Sequence, residues 1–258
     1  MYRFSNVSLL ITHYNRSESL INLLESFKKL NCSFGEIVVS DDGSKAEHLD
    51  KLKLLREAYD FNLITTPKNK GLGNNINKGQ DAVKNAYTLY VQEDFEPSHE
   101  FPDKFAKALK FMDSDKSLDI VKFYAYYPYP YLKPFSEDYD EMYVKNFGLR
   151  YDKIYFYSDH PHLRRSSFFE RFGRYPEGIK GDLTEYKMCI SFIQNKGKGL
   201  FYKDYSRLLL QRNSEEEPST MTRSNWKQKE NLLLNTVRYI YRQIKYNLDI
   251  KLSKPLEK

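Results

Sequence analysis

Three short apolar runs, each ending in polar or acidic residues, constrain this chain more than any other feature. They are "VSLLIT" (Val7–Thr12), "EIVVSDD" (Glu36–Asp42) and "YTLYVQED" (Tyr87–Asp94). Nearly continuous apolar runs of this length are expected of strands buried on both faces. Helical patterns separate them. Leu20, Leu23, Leu24, Phe27 and Leu30 recur at helical spacing after Ser17, which can cap that helix. "HLDKLKLLREAY" and "GNNINKGQDAVKNA" predict two more helices, with a short strand "FNLITT" between them closed by Pro67. The helix "PDKFAKALKFM" and the strand "DIVKFYAY" follow. This alternation predicts an α/β fold: a mixed, mostly parallel sheet flanked by helices on both faces.

In such sheets ligands gather beyond the carboxyl ends of the strands, near the point where strand order reverses. Three strand ends then share one rim: Thr12-His13-Tyr14-Asn15, Asp41-Asp42-Gly43-Ser44 and Gln92-Glu93-Asp94. Several carboxylates on one rim, with no arginine evidently paired to them in sequence, suit a hard divalent cation and the donor groups of a nucleotide. The plainer alternative has Asp41-Asp42 capping the following helix and Glu93-Asp94 forming a solvated turn. The joint occurrence at equivalent strand ends favours function.

Composition narrows the class. At 258 residues the chain is long enough for one large domain with an appendage. A net charge of +6 is mildly basic, without the clustered stripe of a nucleic-acid binder, so no nucleic-acid partner is expected. Two cysteines, Cys32 and Cys189, make no disulfide framework and agree with a cytoplasmic location. The apolar run near the N-terminus is too short for a signal peptide, and no run spans a bilayer. The 22 tyrosines offer stacking faces with hydroxyls, useful for nucleosides and sugars, although an AT-rich genome would also favour them.

The series "VSLLITHYNRSESLINLLESF…EIVVSDDGS…NKGLGNNINKG…YVQEDFEP" resembles the nucleotide half of family 2 glycosyltransferases, inverting enzymes of the GT-A, Rossmann-like fold. The resemblance covers about the first hundred residues, and order and spacing carry it more than any single motif. It implies a nucleotide-sugar donor, usually a UDP-sugar, in the rim crevice. It places Thr12, Tyr14 and Asn15 around the base, has Asp41 accept a hydrogen bond from the base's ring N–H, and leaves Asp42 to orient the turn or contact ribose. Glu93 is then a ribose contact and Asp94 the ligand of a divalent cation, Mn²⁺ or Mg²⁺. Three positions depart from the family pattern: Gln92 is an amide where the metal motif starts with a carboxylate, Ile76 stands where arginine is common, and Thr12 replaces a usual proline.

The second half should hold the acceptor and the base. "SDHPHLRRSSFFERFGRYPEG" (Ser158–Gly178) resembles the family's acceptor-side connection, with His160, His162, Arg164 and Arg165 in a compact cluster. Two histidines at this spacing are a weak metal signal. A diphosphate or acceptor contact from His162, Arg164 or Arg165 is at least as well supported, since guanidinium grips phosphate bidentately. "KGDLTEYKMCISFIQNKGKG" predicts a helix beginning at Leu183 or Thr184 and ending at Gly197. The family's general base is an acidic residue at this helix's N-terminus, which maps to Glu185, or one turn earlier to Asp182. Acidic residues there also simply favour the helix dipole. The tract "FYAYYPYPYLKPF" (Phe123–Phe135) cannot be regular helix, and is either a loop presenting tyrosines to a sugar acceptor or a packed edge.

Residues 1–212 thus form the expected GT-A unit, 1–100 for the nucleotide and 101–212 for acceptor and catalysis, with a mobile loop and a C-terminal amphipathic helix over 213–258. Arg223 in that loop is a candidate diphosphate contact. The helix stripe Leu233, Val237, Ile240, Ile244 and Leu248 carries basic flanks, so residues 226–250 can lie on the inner face of an anionic membrane. Packing on the catalytic core, or against a second subunit in a homodimer, is the favoured reading. The expected activity moves a sugar onto a glycan or lipid-linked acceptor in surface polysaccharide synthesis. The rivals are a catalytically inactive nucleotide-sugar binding module and a nucleotidyltransferase. The latter would normally show a glycine-rich basic signature after the first strand, which "THYNRSES" lacks.

Overall fold

The computed structural model describes residues 1–145, 151–212 and 232–258, the last with side chains from 236 onward. The first strand, β1 (Tyr2–His13), is longer than its apolar run, and Val7, Leu9, Leu10 and Ile11 have no exposed surface. Helix α1 (Ser17–Lys29) buries Leu20, Leu23, Leu24 and Phe27 against it. Ser17 is not its cap: Arg16 precedes the helix, and the Ser17 hydroxyl instead pairs with His48 Nδ1 at 2.9 Å. Then follow β2 (Cys32–Asp41), α2 (Ala46–Tyr59), β3 (Asn62–Ile64), α3 (Leu72–Asp81), β4 (Tyr87–Gln92), β5 (Phe95–Pro97) and α4 (Phe101–Ser114).

Strand β6 is only Ile120–Lys122, because the proline-rich tract after it leaves the sheet. Two short strands, β7 (Leu132–Pro134) and β8 (Tyr139–Met142), follow, then a 3₁₀ turn over Tyr151–Tyr155. The remaining elements are β9 (His162–Arg165), α5 (Phe168–Phe172), α6 (Gly181–Gln194), β10 (Gly199–Tyr202), β11 (Leu209–Gln211) and α7 (Leu232–Leu252).

Nine strands make one sheet in the order β3-β2-β1-β4-β9-β6-β10-β8-β7, and β11 pairs with β5 in a separate ribbon. The pairs β1–β2, β1–β4 and β2–β3 are parallel, whereas β9 runs antiparallel to both β4 and β6. The order turns back across β1, and the registers His13 with Asp41 and Thr12 with Gln92 put the three polar strand ends on one rim.

Helix α3 explains the run of glycine and asparagine. A Cβ on Gly79 would lie 2.6 Å from Leu10 Cδ1 and 2.9 Å from Ser40 Cβ, so only glycine lets this helix sit so close to the sheet. Asn77 clamps the second half: its Nδ2 donates to the Tyr175 carbonyl at 2.9 Å and its Oδ1 accepts from Tyr175 N at 3.0 Å. Ile76 is fully buried with Leu10, Val38 and Tyr90. The position that departs from the family pattern is therefore a core position.

Helix α6 starts two residues earlier than its sequence suggests, with Lys180 at the N-cap, and ends at Gln194. Lys196, not Gly197, takes the left-handed conformation at its end (φ 53°). Gly197 serves packing instead, since a Cβ there would lie 2.4 Å from the Phe192 ring. Helix α7 packs on the core as favoured, but through a different face. Tyr186 donates to Asp249 at 2.7 Å and Gln194 Nε2 to the Ile250 carbonyl at 2.9 Å. The predicted stripe faces out: Val237, Ile240, Ile244 and Leu248 are all about half exposed. Leu233 and Arg223 lie outside the side chains described.

Candidate active site

A cavity of about 440 Å³ opens at the rim where β1, β2 and β4 end. One wall carries Thr12, Tyr14, Arg16, Asp42, Glu93 and Asp94. The opposite wall carries Lys122, Tyr126, Asp159, His160 and Glu185. The two halves of the chain thus meet at one concave surface, as a ligand site requires.

The two adjacent aspartates have separate roles. Asp41 is fully buried and does not line the cavity. Its carboxylate accepts from His13 Nδ1 at 2.8 Å, from the Gly43 and Ser44 amides at 3.0 and 3.1 Å, from Thr65 Oγ1 at 2.8 Å, and from the Ser44 hydroxyl. His13 Nε2 accepts the Arg16 amide at 3.2 Å, so the ring proton is on Nδ1, pointing at Asp41. Burial alone would raise the Asp41 pKa, but the bonds from His13, Ser44 and Thr65 outweigh it and hold the carboxyl well below the usual range. A carboxylate this fully engaged has no capacity left for a base. The expected contact at Asp41 is corrected: Asp41 locks the β1 and β2 turns together, and the cavity-lining carboxylate is Asp42.

Asp42 accepts the Lys70 and Gly71 amides at 2.8 and 2.9 Å, which orients the loop before α3 and leaves its remaining lone pairs toward the cavity. Burial pushes its pKa up against those two bonds. Thr12 lines the cavity with its hydroxyl 3.1 Å from the Tyr90 hydroxyl, and Tyr14 lines it as expected. Asn15 does not. In a left-handed conformation (φ 54°), it accepts the Lys45 amide at 2.8 Å and donates its own amide to the Ser44 hydroxyl at 2.8 Å. Its role is to join two turns.

Glu93 and Asp94 have a basic partner that the sequence did not reveal. Arg16 Nη1 lies 3.1 Å from Asp94 Oδ2 and 4.0 Å from Glu93 Oε1. Gln211 Nε2 donates to the same Asp94 oxygen at 2.8 Å. Glu93 is pushed up to about 8, by burial first and by the neighbouring Asp94 second. Its carboxyl therefore keeps a proton near neutrality. Asp94 Oδ1 is buried and has no hydrogen-bond partner. Among the described residues no group of three or more His, Cys, Asp and Glu side chains could hold a metal alone. One open, hard oxygen nonetheless fits an ion such as Mg²⁺, which takes one or two protein carboxylates and completes its shell with phosphate oxygens and water.

The basic cluster expected to meet a diphosphate turns inward. His162 has no exposed surface; its Nδ1 lies 2.7 Å from the His160 carbonyl, and burial first, with Arg164 beside it, holds its pKa well below normal. Arg164, equally buried, donates from Nε and Nη2 to Gln80 Oε1 at 3.1 and 2.7 Å and sits over the Tyr90, Phe168 and Phe169 rings. Arg165 donates to the carbonyls of Leu118, Met112 and Asp115. None of the three lines the cavity. They form β9, whose alternation sends Arg164 to one sheet face and Arg165 to the other, so sequence proximity says nothing about a shared site.

Of the two candidate bases only one reaches the cavity. Glu185, one turn into α6, lines it, and its Oε1 accepts the Asp159 amide at 3.1 Å. Asp182 is exposed, does not line this cavity, and accepts the Leu183 amide at 2.9 Å. Burial raises the Glu185 pKa, opposed by the Asp159 amide and by Lys122. Asp159, missed in the sequence, is raised further, by burial and then by the Glu185 charge. Lys122, also missed, is buried with Nζ on the Tyr155 carbonyl at 3.0 Å and is pushed down to about 8 by burial. The only sequence signal for Asp159 was an acid inside the polar run "SDHPH".

A mixed sheet with a nucleotide-type rim, a carboxylate pair after its fourth strand and an acid facing that rim from a later helix defines a GT-A glycosyltransferase architecture. The profile of glycosyl transferase family 2 matches residues 8–173, and the chain belongs to that family. No curated protein matches the sequence. Among solved structures, the chain is similar to S. aureus TarS 1-349 in complex with UDP-GlcNAc, with a TM-score of 0.61 and 19% identity over 84% of this chain and 62% of that one. It is also similar to the mannosyltransferase PcManGT from Pyrobaculum calidifontis in complex with GDP-Man and Mn²⁺, with a TM-score of 0.55 and 13% identity over 78% and 55% of the two chains. GalNAc-T7 with UDP, GalNAc and Mn²⁺ gives a TM-score of 0.55 and 15% identity over 76% and 42%. At these identities the likeness is one of fold, and the chain spans 59–67% of the length of TarS 1-349.

Proposed function

We propose that this chain transfers a sugar, with inversion, from a nucleotide-sugar to a hydroxyl of a glycan or lipid-linked acceptor. The observation that carries this reading is that Asp42 and Asp94 on one side and Glu185 on the other wall a single cavity. The donor is a UDP-sugar: Thr12 and Tyr14 flank the base, Asp42 accepts its ring N–H, and Glu93 reaches the ribose. Asp94 would hold a divalent cation, Mn²⁺ or Mg²⁺, and such an ion neutralises charge on a departing diphosphate. Glu185 takes the acceptor hydroxyl's proton as that oxygen attacks the anomeric carbon.

Surface polysaccharide synthesis is the setting we favour, since a surface glycan would present such an acceptor. Among the described residues no helix is long and apolar enough to cross a membrane. The outward apolar row on α7 would rest on a membrane surface, with Arg242 turned instead to the Tyr151 hydroxyl at 3.1 Å. Vesicle sedimentation of an Ile240→Glu, Ile244→Glu double variant against the native chain tests that placement.

The test of function is calorimetry with UDP and GDP, with and without Mn²⁺, followed by UDP release from a panel of UDP-sugars. Expected are UDP selectivity, tighter binding with Mn²⁺, and a metal gain that Asp94→Asn removes. Binding without turnover on any donor and acceptor would identify a binding module instead. No binding of either nucleotide would refute the assignment.

A further inference from the structure

The wall around Glu185 contains more than a base. Asp159 is 3% exposed, lines the cavity, and anchors one oxygen by accepting the Tyr175 hydroxyl at 2.6 Å. Its second oxygen, Oδ2, is buried without any hydrogen-bond partner. A buried polar atom left unsatisfied is costly, so a ligand group is the natural partner for it. The Asp159 backbone amide holds Glu185 Oε1 at 3.1 Å, and the Glu185 charge acts on the Asp159 carboxyl, so the two acids are neighbours on this wall.

On the same wall lies an aromatic surface. Tyr126 is 46% exposed, yet its ring is held edge-on by His160 at 4.7 Å and its hydroxyl donates to Gln211 Oε1 at 3.0 Å. Tyr127 and Tyr155 complete the lip, 79% and 51% exposed. A fixed, half-exposed ring presents contact area at low entropic cost.

The charge of this wall is equally selective. Among the described residues that line the cavity, the lysine and arginine side chains are Arg16 and Lys122. Arg16 belongs to the opposite wall, against Asp94 at 3.1 Å. Lys122 is buried with Nζ on a backbone carbonyl, and burial holds the His160 pKa down to about 3, leaving that ring neutral. Among the described residues, an anionic acceptor would meet two carboxyl groups here with only the buried Lys122, already shared with a backbone carbonyl, to offset its charge.

We propose that the acceptor end is an uncharged pyranose, stacked on Tyr126 at the Tyr127–Tyr155 lip, with adjacent hydroxyls held by Asp159 Oδ2 and Glu185. This rests on the glycosyltransferase reading and narrows its acceptor from any hydroxyl to a neutral sugar ring, excluding a polyol-phosphate chain end. The ring supplies what the wall lacks: hydroxyls that both donate and accept, and an apolar face for the tyrosine.

The test is saturation-transfer NMR on the full chain loaded with UDP. The probes are methyl glycosides of glucose, galactose, N-acetylglucosamine and rhamnose, against glycerol 3-phosphate. At least one methyl pyranoside should bind at millimolar concentration, and glycerol 3-phosphate should not. Asp159→Asn and Tyr126→Ala should each weaken the pyranoside about tenfold, the scale of one hydrogen bond or one stacking contact. Calorimetric UDP affinity should stay within about twofold in both, which separates loss of acceptor contact from loss of fold. Binding of glycerol 3-phosphate in preference to every pyranoside would overturn the proposal, as would no pyranoside binding, or pyranoside binding indifferent to both substitutions. Loss of UDP binding in the native chain would instead overturn the glycosyltransferase reading on which it rests.

Discussion

The two walls of the cavity differ in how they treat buried charge. On the wall made by the ends of β1, β2 and β4, acids are answered by the chain itself. Asp41 accepts five hydrogen bonds, Asp42 two backbone amides, and Asp94 both Arg16 and Gln211. On the facing wall, Asp159 and Glu185 are held above their usual pKa range by burial, and an Asp159 oxygen is left open. Asp41 is thereby held ionised, which suits a fixed scaffold that orients a donor. The second wall has acids poised to gain and lose protons, the condition for acid–base work.

The largest expected effect comes from Glu185→Gln, which keeps shape but cannot accept a proton. Turnover by UDP release should fall about 10²–10⁴-fold while calorimetric UDP affinity stays unchanged. The native enzyme's rate should fall as pH drops through the raised Glu185 pKa, so the acid limb lies above the ordinary glutamate value. Equal loss of donor affinity would move Glu185 to the donor wall and erase the distinction.

A second contrast sets Asp41 against Asp42. Asp42→Ala should weaken UDP by roughly 1–3 kcal/mol with little change in melting temperature, the scale of one hydrogen-bond partner lost from a site. Asp41→Ala leaves His13, Thr65 and two amides without their acceptor, so its main effect should be on stability, about 3 kcal/mol by denaturant unfolding. The reverse pattern would restore Asp41 as the base contact.

Glu93 offers a smaller, pH-dependent measure of the first wall. Its pKa is raised from 4.5 to about 8, so between these values the folded state holds a proton that the unfolded state has released. Stability contributed by the protonated carboxyl is present below the unfolded value and lost as pH rises toward 8. Glu93→Gln removes this dependence. Its melting temperature relative to the native chain should therefore rise between pH 5 and pH 8 by several degrees, the linkage of this shift being worth up to roughly 3 kcal/mol over that range. A difference that is flat with pH would mean that Arg16 keeps Glu93 ionised.

Much of the first wall was legible because it depends on short-range pattern. Apolar runs that stop at Thr12, Asp41 and Gln92 place three strand ends, and parallel pairing brings them to one rim. Which aspartate turns inward was also encoded, though less visibly. In "DDGS" the first carboxylate caps the Gly43 and Ser44 amides, a local turn that consumes it. Arg16 was overlooked because its partner Asp94 lies far along the chain, across a turn whose path the sequence does not specify. The second wall was largely illegible for the same reason. Lys122 comes from a strand, Asp159 from the loop before β9, and Glu185 from α6. A contiguous cluster such as "HLRR" points to a shared site in sequence, but strand alternation buries those residues away from the cavity.

The smallest expected effect tests the comparison most closely, because it concerns two acids on one helix. Asp182 and Glu185 are three residues apart on α6, so helix dipole and sequence context favour a negative charge at either. Only tertiary placement separates them. Glu185 enters the cavity beside Asp159, whereas Asp182 stays exposed and receives the adjacent Leu183 amide. Asp182 does contribute to the Glu185 pKa, and its charge acts to raise it. Asp182→Asn should therefore leave kcat within about twofold at high pH, since an exposed charge is well screened. The same substitution should shift the acid limb of the rate profile slightly downward, because a repelling charge has been removed. A large loss of kcat in Asp182→Asn, with Glu185→Gln active, would show that the proton leaves from the solvent side of α6, and the wall around Asp159 would lose its base.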